Sequence, residues 1–168
     1  LLDGAWPAAL AFSTVLAIVS SSSLAVVVLI LSLSAMGILS PALTVILVLG
    51  ANLGGAVPPV IATLRAAASA RRVTLGNLLV RGAGCLAVLP FAGQVADLLA
   101  LLPVPSAKLP VDVHLAFNLV VALVLWPLSG PLSRLMEKLV PDDKPEETGP
   151  KYLEDSALSS PVVALSGA

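Results

Sequence analysis

The sequence predicts an all-α membrane protein, a polytopic helical bundle that contains broken or re-entrant helices. Three observations carry this. Hydrophobic residues make up 58% of the 168-residue chain and charged residues 11%, against about a quarter charged in soluble domains. The charges are also placed unevenly, with no Asp, Glu, Lys or Arg from Gly4 to Leu64 and none from Val113 to Ser133. Finally, the apolar runs show no charged face at a period of 3.6, which a surface helix of a soluble protein would need. A run of roughly 20 apolar residues crosses the hydrocarbon core, so the first run is long enough for more than one crossing.

Segment one, Pro7 to Ser34, is apolar but interrupted by Ser20-Ser21-Ser22-Ser23. Gly37 to Pro41 reads as a turn, punctuated by its Gly and Pro. Segment two, Pro41 to Leu64, carries Gly50-Ala51-Asn52-Leu53-Gly54-Gly55 and then Pro58-Pro59. A loop with Arg65, Arg71 and Arg72 follows. Segment three, Val73 to Ala100, holds Arg81, Pro90 and Asp97, and the loop Leu101 to Pro110 is rich in proline. Segment four, Val111 to about Leu132, is the cleanest spanning helix, with Arg134 and Lys138 just beyond it.

The two arginine-bearing ends lie two crossings apart and so share a side. The positive-inside bias assigns that side to the cytoplasm of a cell membrane, with the proline-rich loop outside. Whether residues 1–64 cross or turn back stays open, because a broken segment can do either.

Segments one and two share a layout in which a small polar break divides two apolar stretches of about a dozen residues, each covering only about 18 Å. Backbone that leaves the helix inside a bilayer must be buried in protein or line a wet cavity. Half-helix N-termini at such breaks offer unpaired N–H groups and a positive dipole end, which suits an anion. Serine hydroxyls add groups that both donate and accept. The alternatives are that serines bond back to the preceding turn or glue helices together, and that Gly50 and Gly54 form a small-xxx-small packing pair. For the run of four serines the reading adopted is a functional break.

Other classes are excluded or left without support. The net charge of −1 accompanies no basic arm, so no nucleic-acid partner is expected. The single Cys85 rules out a disulfide framework or cysteine zinc site and reads as a small buried hydrophobe. No Walker loop or nucleophile–base pair is present, which argues for a secondary carrier over an ATP-driven pump or an enzyme. The chain begins Leu-Leu-Asp with no basic n-region, so no signal peptide is expected and a longer parent protein is.

In this setting Ser21-Ser22-Ser23-Leu24-Ala25 resembles the Gln-Ser-Ser-Ser-Ala-type motif of the type II sodium/phosphate cotransporter family, including its bacterial members. Gly50-Ala51-Asn52-Leu53-Gly54-Gly55 resembles that family's Gly-Ala-Asn-Ile-Gly-Thr-Thr-type motif. Arg71-Arg72 with Gly76-Asn77-Leu78-Leu79, and His114-Leu115-Ala116-Phe117-Asn118, are similar to motifs that follow in the same order. Lys151-Tyr152-Leu153 through Pro161-Val162-Val163-Ala164-Leu165 resembles a junction leading to a PhoU-like helical domain. The departures are Ser21 for Gln, Leu24 for the third Ser, and Gly55-Ala56 for the Thr pair.

The resemblance implies one half of an inverted-repeat transporter, namely the second repeat and the helices after it. Its missing N-terminal repeat would be a partner, inorganic phosphate the substrate, and sodium the coupling ion, with no other cofactor. The implied binding residues are Ser21, Ser22 and Ser23 with Gly50, Asn52, Gly54 and Gly55. Residues 1–140 would form the transport domain, and the acidic, proline-bearing residues 141–168 a solvated cytoplasmic linker. The alternatives are a carrier for another small anion and a non-transporting scaffold whose Gly and Ser residues only pack helices.

Five polar residues within or at the ends of the spans remain. Arg81 is a functional candidate by its depth, but the reading adopted is that it snorkels to the interface near Arg72. Asp97 is read as interfacial. Asp112 and His114 are read as a capped interfacial helix start, with a pH-sensitive gate as the alternative. Asn118 is read as making an inter-helix hydrogen bond.

Overall fold

The computed structural model describes residues 5–101 and 105–142. The expected polar linker, other than its first two residues, and the Lys151–Leu165 junction lie outside them. Every regular element among the described residues is helical: α1 Trp6–Ser20, α2 Ser23–Ala35, α3 Pro41–Gly55, α4 Val57–Thr63, α5 Ala68–Val88, α6 Ala92–Ala100 and α7 Leu109–Leu139. Among the described residues, three stretches are long and apolar enough to cross a membrane: 41–63, 68–100 and 109–139. The protein is an all-α membrane protein.

Segment one breaks where its serines predicted, and the break turns the chain back. Ser21 takes the left-handed conformation at φ 52°. The N–H of Ser22 donates to the Ala17 carbonyl at 3.2 Å and that of Ser21 to Ile18 at 3.1 Å, a Schellman stop. Ser22 then caps α2 at once, its hydroxyl oxygen accepting from the Ala25 N–H at 3.2 Å.

Direction follows from the neighbours. A side chain at Gly50 would meet Ser13, and one at Gly54 would meet Thr14 and Ala17, so α1 and α3 run parallel. Ser23 packs on Gly55, whereas Ser34 and Ala35 share a cavity with Pro41, Thr44 and Asp112 near the start of α3. The pair α1–α2 is therefore a hairpin with its tip at Ser20–Ser22. Its arms measure about 22 and 20 Å, each short of the roughly 30 Å hydrocarbon core. Within residues 1–64, whose parity the sequence leaves open, residues 5–64 fold as a short hairpin followed by one stretch long enough to cross.

Segment two departs from expectation in where it breaks. α3 runs unbroken through Gly50 and Gly54, and the discontinuity falls at Ala56. There the N–H of Ala56 bonds to Leu53 at 3.1 Å and Pro58 enters the first turn of α4, where its missing N–H is tolerated. Gly50 and Gly54 let α1 approach α3 closely instead, as the packing alternative has it. α3 is the centre of the bundle, with Val45, Val48, Leu49, Ala51 and Asn52 all fully buried.

The remaining crossings alternate. α5 runs antiparallel to α3–α4, with Thr74 bonded to Thr63, Arg81 to Asn52, and Cys85 Sγ donating to the Leu49 carbonyl at 3.3 Å. Cys85 is buried, as expected of a small hydrophobe. Pro90 inserts a short 3-10 turn between α5 and α6. α7 returns along α5, Gly84 facing Phe117 and Gly76 facing Met136. It continues past Leu132 to Leu139 with Pro127 and Pro131 inside it. Arg72 closes that end, donating from Nε to the Val140 carbonyl at 2.9 Å and pairing with Asp142 at 2.7 Å. The two basic groups thus share one end of the bundle.

Candidate functional site

Asn52 sits at the middle of the 41–63 crossing, eleven residues from either end, and is fully buried. Its Nδ2 donates to the Val48 carbonyl at 2.9 Å. Its Oδ1 accepts twice, from Arg81 Nη1 at 2.9 Å and from Asn118 Nδ2 at 3.0 Å. Arg81 Nη2 donates to Asn118 Oδ1 at 2.7 Å, and Arg81 Nε to Asn77 Oδ1 at 3.2 Å. Asn118 Nδ2 also reaches the His114 carbonyl at 2.7 Å. One guanidinium thus ties α3, α5 and α7 together through three side-chain amides.

This geometry overturns the snorkelling reading of Arg81. The side chain reaches inward to Asn52 and Asn118 because a guanidinium at membrane depth needs acceptors, and these are the acceptors at its level. It also extends the reading of Asn118, whose inter-helix bonds are real but belong to a charged cluster. His114 is likewise not a capping residue, since α7 starts at Leu109 with no side-chain cap. Its Nε2 lies 3.5 Å from Asn118 Nδ2, and its Nδ1 is buried without a hydrogen-bond partner.

The electrostatics of the cluster are one-sided. A guanidinium carries five N–H donors, and three here meet neutral amide oxygens. No carboxylate is among these partners, and the stretch 41–88 contains no Asp or Glu. Amide dipoles offset part of the cost of placing a cation here but do not cancel its charge. The chemistry such a centre lacks is an anion with oxygen acceptors, which a guanidinium binds in a forked geometry.

The serine break packs on the same helix as Asn52. Ser23 packs on Gly55, so closely that a side-chain carbon added at Gly55 would lie 2.8 Å from Ser23 Cβ. Gly55 itself is three residues, about 4.5 Å of helix rise, beyond Asn52. Ser22 uses a lone pair for its cap, which leaves its O–H to donate elsewhere. Ser20 bonds back to Leu16 at 2.8 Å, the local alternative for serines, and Ser21 is exposed at the tip. Of the sequence-derived set, Ser23 meets Gly55, while Asn52 lies in the arginine cluster three residues earlier on α3. Gly50 and Gly54 face α1.

Arg81, Asn77 and Asn118 were outside that set. The available signal was that Asn52, Arg81 and Asn118 are isolated strong polar residues within otherwise apolar spans, so each needs a partner from another helix.

The chain is 40% identical over 154 residues, 90% of its length, to the Escherichia coli K12 protein named "Putative inorganic phosphate export protein YjbB". It is 39% identical over 154 residues to the Salmonella typhimurium protein of the same name. It is 29% identical over 139 residues, 83% of the chain, to "Uncharacterized protein YqeW" of Bacillus subtilis. The chain spans 28% of the length of the first two relatives and 45% of the third. No family model matches the chain, and no solved structure matches it.

Proposed function

We propose that this chain forms part of the substrate-binding region of a membrane transporter for inorganic phosphate. The observation that carries the reading is Arg81, a guanidinium held at mid-depth by three neutral amides with no carboxylate among its partners. Phosphate oxygens would complete its donor set, and the Ser22 and Ser23 hydroxyls at the adjoining hairpin tip would supply further donors. The name of the Escherichia coli and Salmonella typhimurium relatives supports phosphate as the anion. The re-entrant hairpin beside a crossing helix supports an architecture in which an oppositely oriented repeat of the same protein completes the site.

In this reading sodium is the coupling ion, bound by serine hydroxyls and the carbonyls at the hairpin tip. The arginine-bearing end faces the cytoplasm. The test is saturable phosphate flux by the purified, reconstituted protein, measured with and without a sodium gradient, beside Arg81→Gln. Flux retained in Arg81→Gln removes phosphate from this centre and leaves it a structural clamp. Flux that is lost in Arg81→Gln but indifferent to sodium retains the site and discards the coupling ion.

A further inference from the structure

The seam between α5 and α7 holds a groove that the anion site does not use. Along it α5 presents small residues, Ala83, Gly84 and Ala87, to α7. The resulting cavity measures about 580 Å³, and its lining, running to Val120 and Leu128, contains no charged or hydrogen-bonding side chain. Towards the arginine-bearing end it continues past Leu125, which lines both, into a second cavity of about 340 Å³ between the same helices. There the walls change character and include Arg72, Asn77, Ser129 and Ser133.

One continuous groove is therefore apolar along the middle of the crossing helices and polar with a cation at one end. An apolar helix would bring no anion to Arg72, and a water-soluble anion would leave the long apolar part empty; the Ser129 and Ser133 hydroxyls already donate to the Trp126 carbonyl and to Glu137. An amphiphile oriented as in a bilayer leaf matches both parts. The charge at the polar end selects among amphiphiles, because among the described residues five basic ones (Arg65, Arg71, Arg72, Arg134, Lys138) lie there against Glu137 and Asp142. Arg72 spends one N–H on the Val140 carbonyl and one on Asp142, leaving three of a guanidinium's five. Asp142 itself is 85% exposed and free to yield to another anion.

We propose that the α5–α7 groove binds an anionic phospholipid, one acyl chain lying against Ala83, Val120 and Leu128 and the headgroup phosphate at Arg72. Basic pockets between membrane helices take such headgroups, and each buried methylene adds to the affinity. The inference does not depend on the phosphate reading, although Asn77 both lines the groove's polar end and holds Arg81.

The test places the purified protein in phosphatidylcholine nanodiscs carrying a trace of phosphatidylglycerol with a photoactivatable acyl chain, beside the same label on phosphatidylcholine. Crosslinks should map to the groove peptides of α5 and α7, with phosphatidylglycerol favoured about fivefold, the worth of one basic residue near the surface. Arg72→Gln should bring the two lipids to equal labelling. Ala83→Trp, or Leu128→Trp should the first variant fold poorly, should abolish groove labelling while the helices stay folded. Equal labelling by both lipids in the unaltered protein would overturn the proposal, as would labelling indifferent to the Trp variants. Groove peptides shielded from every lipid would assign the groove to another helix and overturn it as well.

Discussion

Asn52 and Arg81 lie 29 positions apart and meet through a 2.9 Å hydrogen bond at the mid-length of a membrane crossing. The pair is a cation held by a dipole. A carboxylate in place of Asn52 would neutralise the guanidinium and remove its attraction for an anion, whereas an apolar residue would leave it unsatisfied. An amide at this position fixes the guanidinium's orientation while keeping its charge available. That combination makes Arg81 the centre of the proposed site.

The first prediction concerns that centre. Arg81→Gln retains hydrogen bonding to the amides and removes the charge, so its melting temperature should stay within a few degrees of the unaltered protein. Phosphate flux should fall by one to two decades, from about 1.5–3 kcal/mol per hydrogen bond to a charged group. Arg81→Lys should also be impaired, because an ammonium cannot span Asn52, Asn77 and Asn118 as a fork does. Reconstituted flux and thermal unfolding, measured on the same preparations, check both. Full activity of Arg81→Lys would reduce the role of the fork to one of charge alone.

The membrane class, the positions of the crossings and the common side of the arginine clusters were legible because each depends on local composition. The serine break was legible as a break. Its sense was not, because whether α2 continues or returns depends on the left-handed Ser21 and on the packing of Ser23 against Gly55. Arg81 was misread for the same kind of reason. Snorkelling competes with pairing, and pairing depends on acceptors 29 and 37 positions away. Gly50 and Gly54 serve equally well as a break or as a packing face, and only the approach of α1 decides between them.

The second prediction tests the hairpin. In a Cys85→Ala background, cysteines replacing Trp6 and Ile38, both exposed, should be labelled from the same side as one replacing Ala107. A cysteine replacing Ala70 should be labelled from the other. Impermeant thiol reagents on sealed vesicles of known orientation distinguish the sides. Labelling of positions 6 and 38 from opposite sides would make α1–α2 a crossing.

The third prediction concerns the seam between α1 and α3. A side-chain carbon added at Gly54 would collide with the Thr14 carbonyl and lie 2.9 Å from Ala17 Cβ. Gly54→Ala should therefore lower stability by about 1–3 kcal/mol, the usual cost of overpacking. Gly130→Ala meets nothing within 4 Å and should be neutral or raise stability by up to about 1 kcal/mol through helix propensity. Thermal unfolding in detergent, followed by tryptophan fluorescence, compares them. Equal melting temperatures would show that α1 does not press on α3.

The last prediction separates the two roles open to Ser22. Its oxygen caps α2 by accepting from the Ala25 N–H, so Ser22→Ala should cost about 0.5–2 kcal/mol of stability for the cap alone. Glycine at a cap costs only a few tenths of a kcal/mol, which makes Ser22→Gly the informative variant. The serine O–H is not consumed by the cap and remains able to donate to a phosphate oxygen. If it does so, Ser22→Gly should keep a near-normal melting temperature and still lose phosphate affinity by one to two decades, in line with about 1.5–3 kcal/mol for a hydrogen bond to a charged group. The half-saturation concentration for phosphate should rise while the amount of inserted protein stays constant. A Ser22→Gly protein with unaltered uptake kinetics would confine Ser22 to capping, and the hydroxyl donors of the site would then have to come from Ser23 and its neighbours at the hairpin tip.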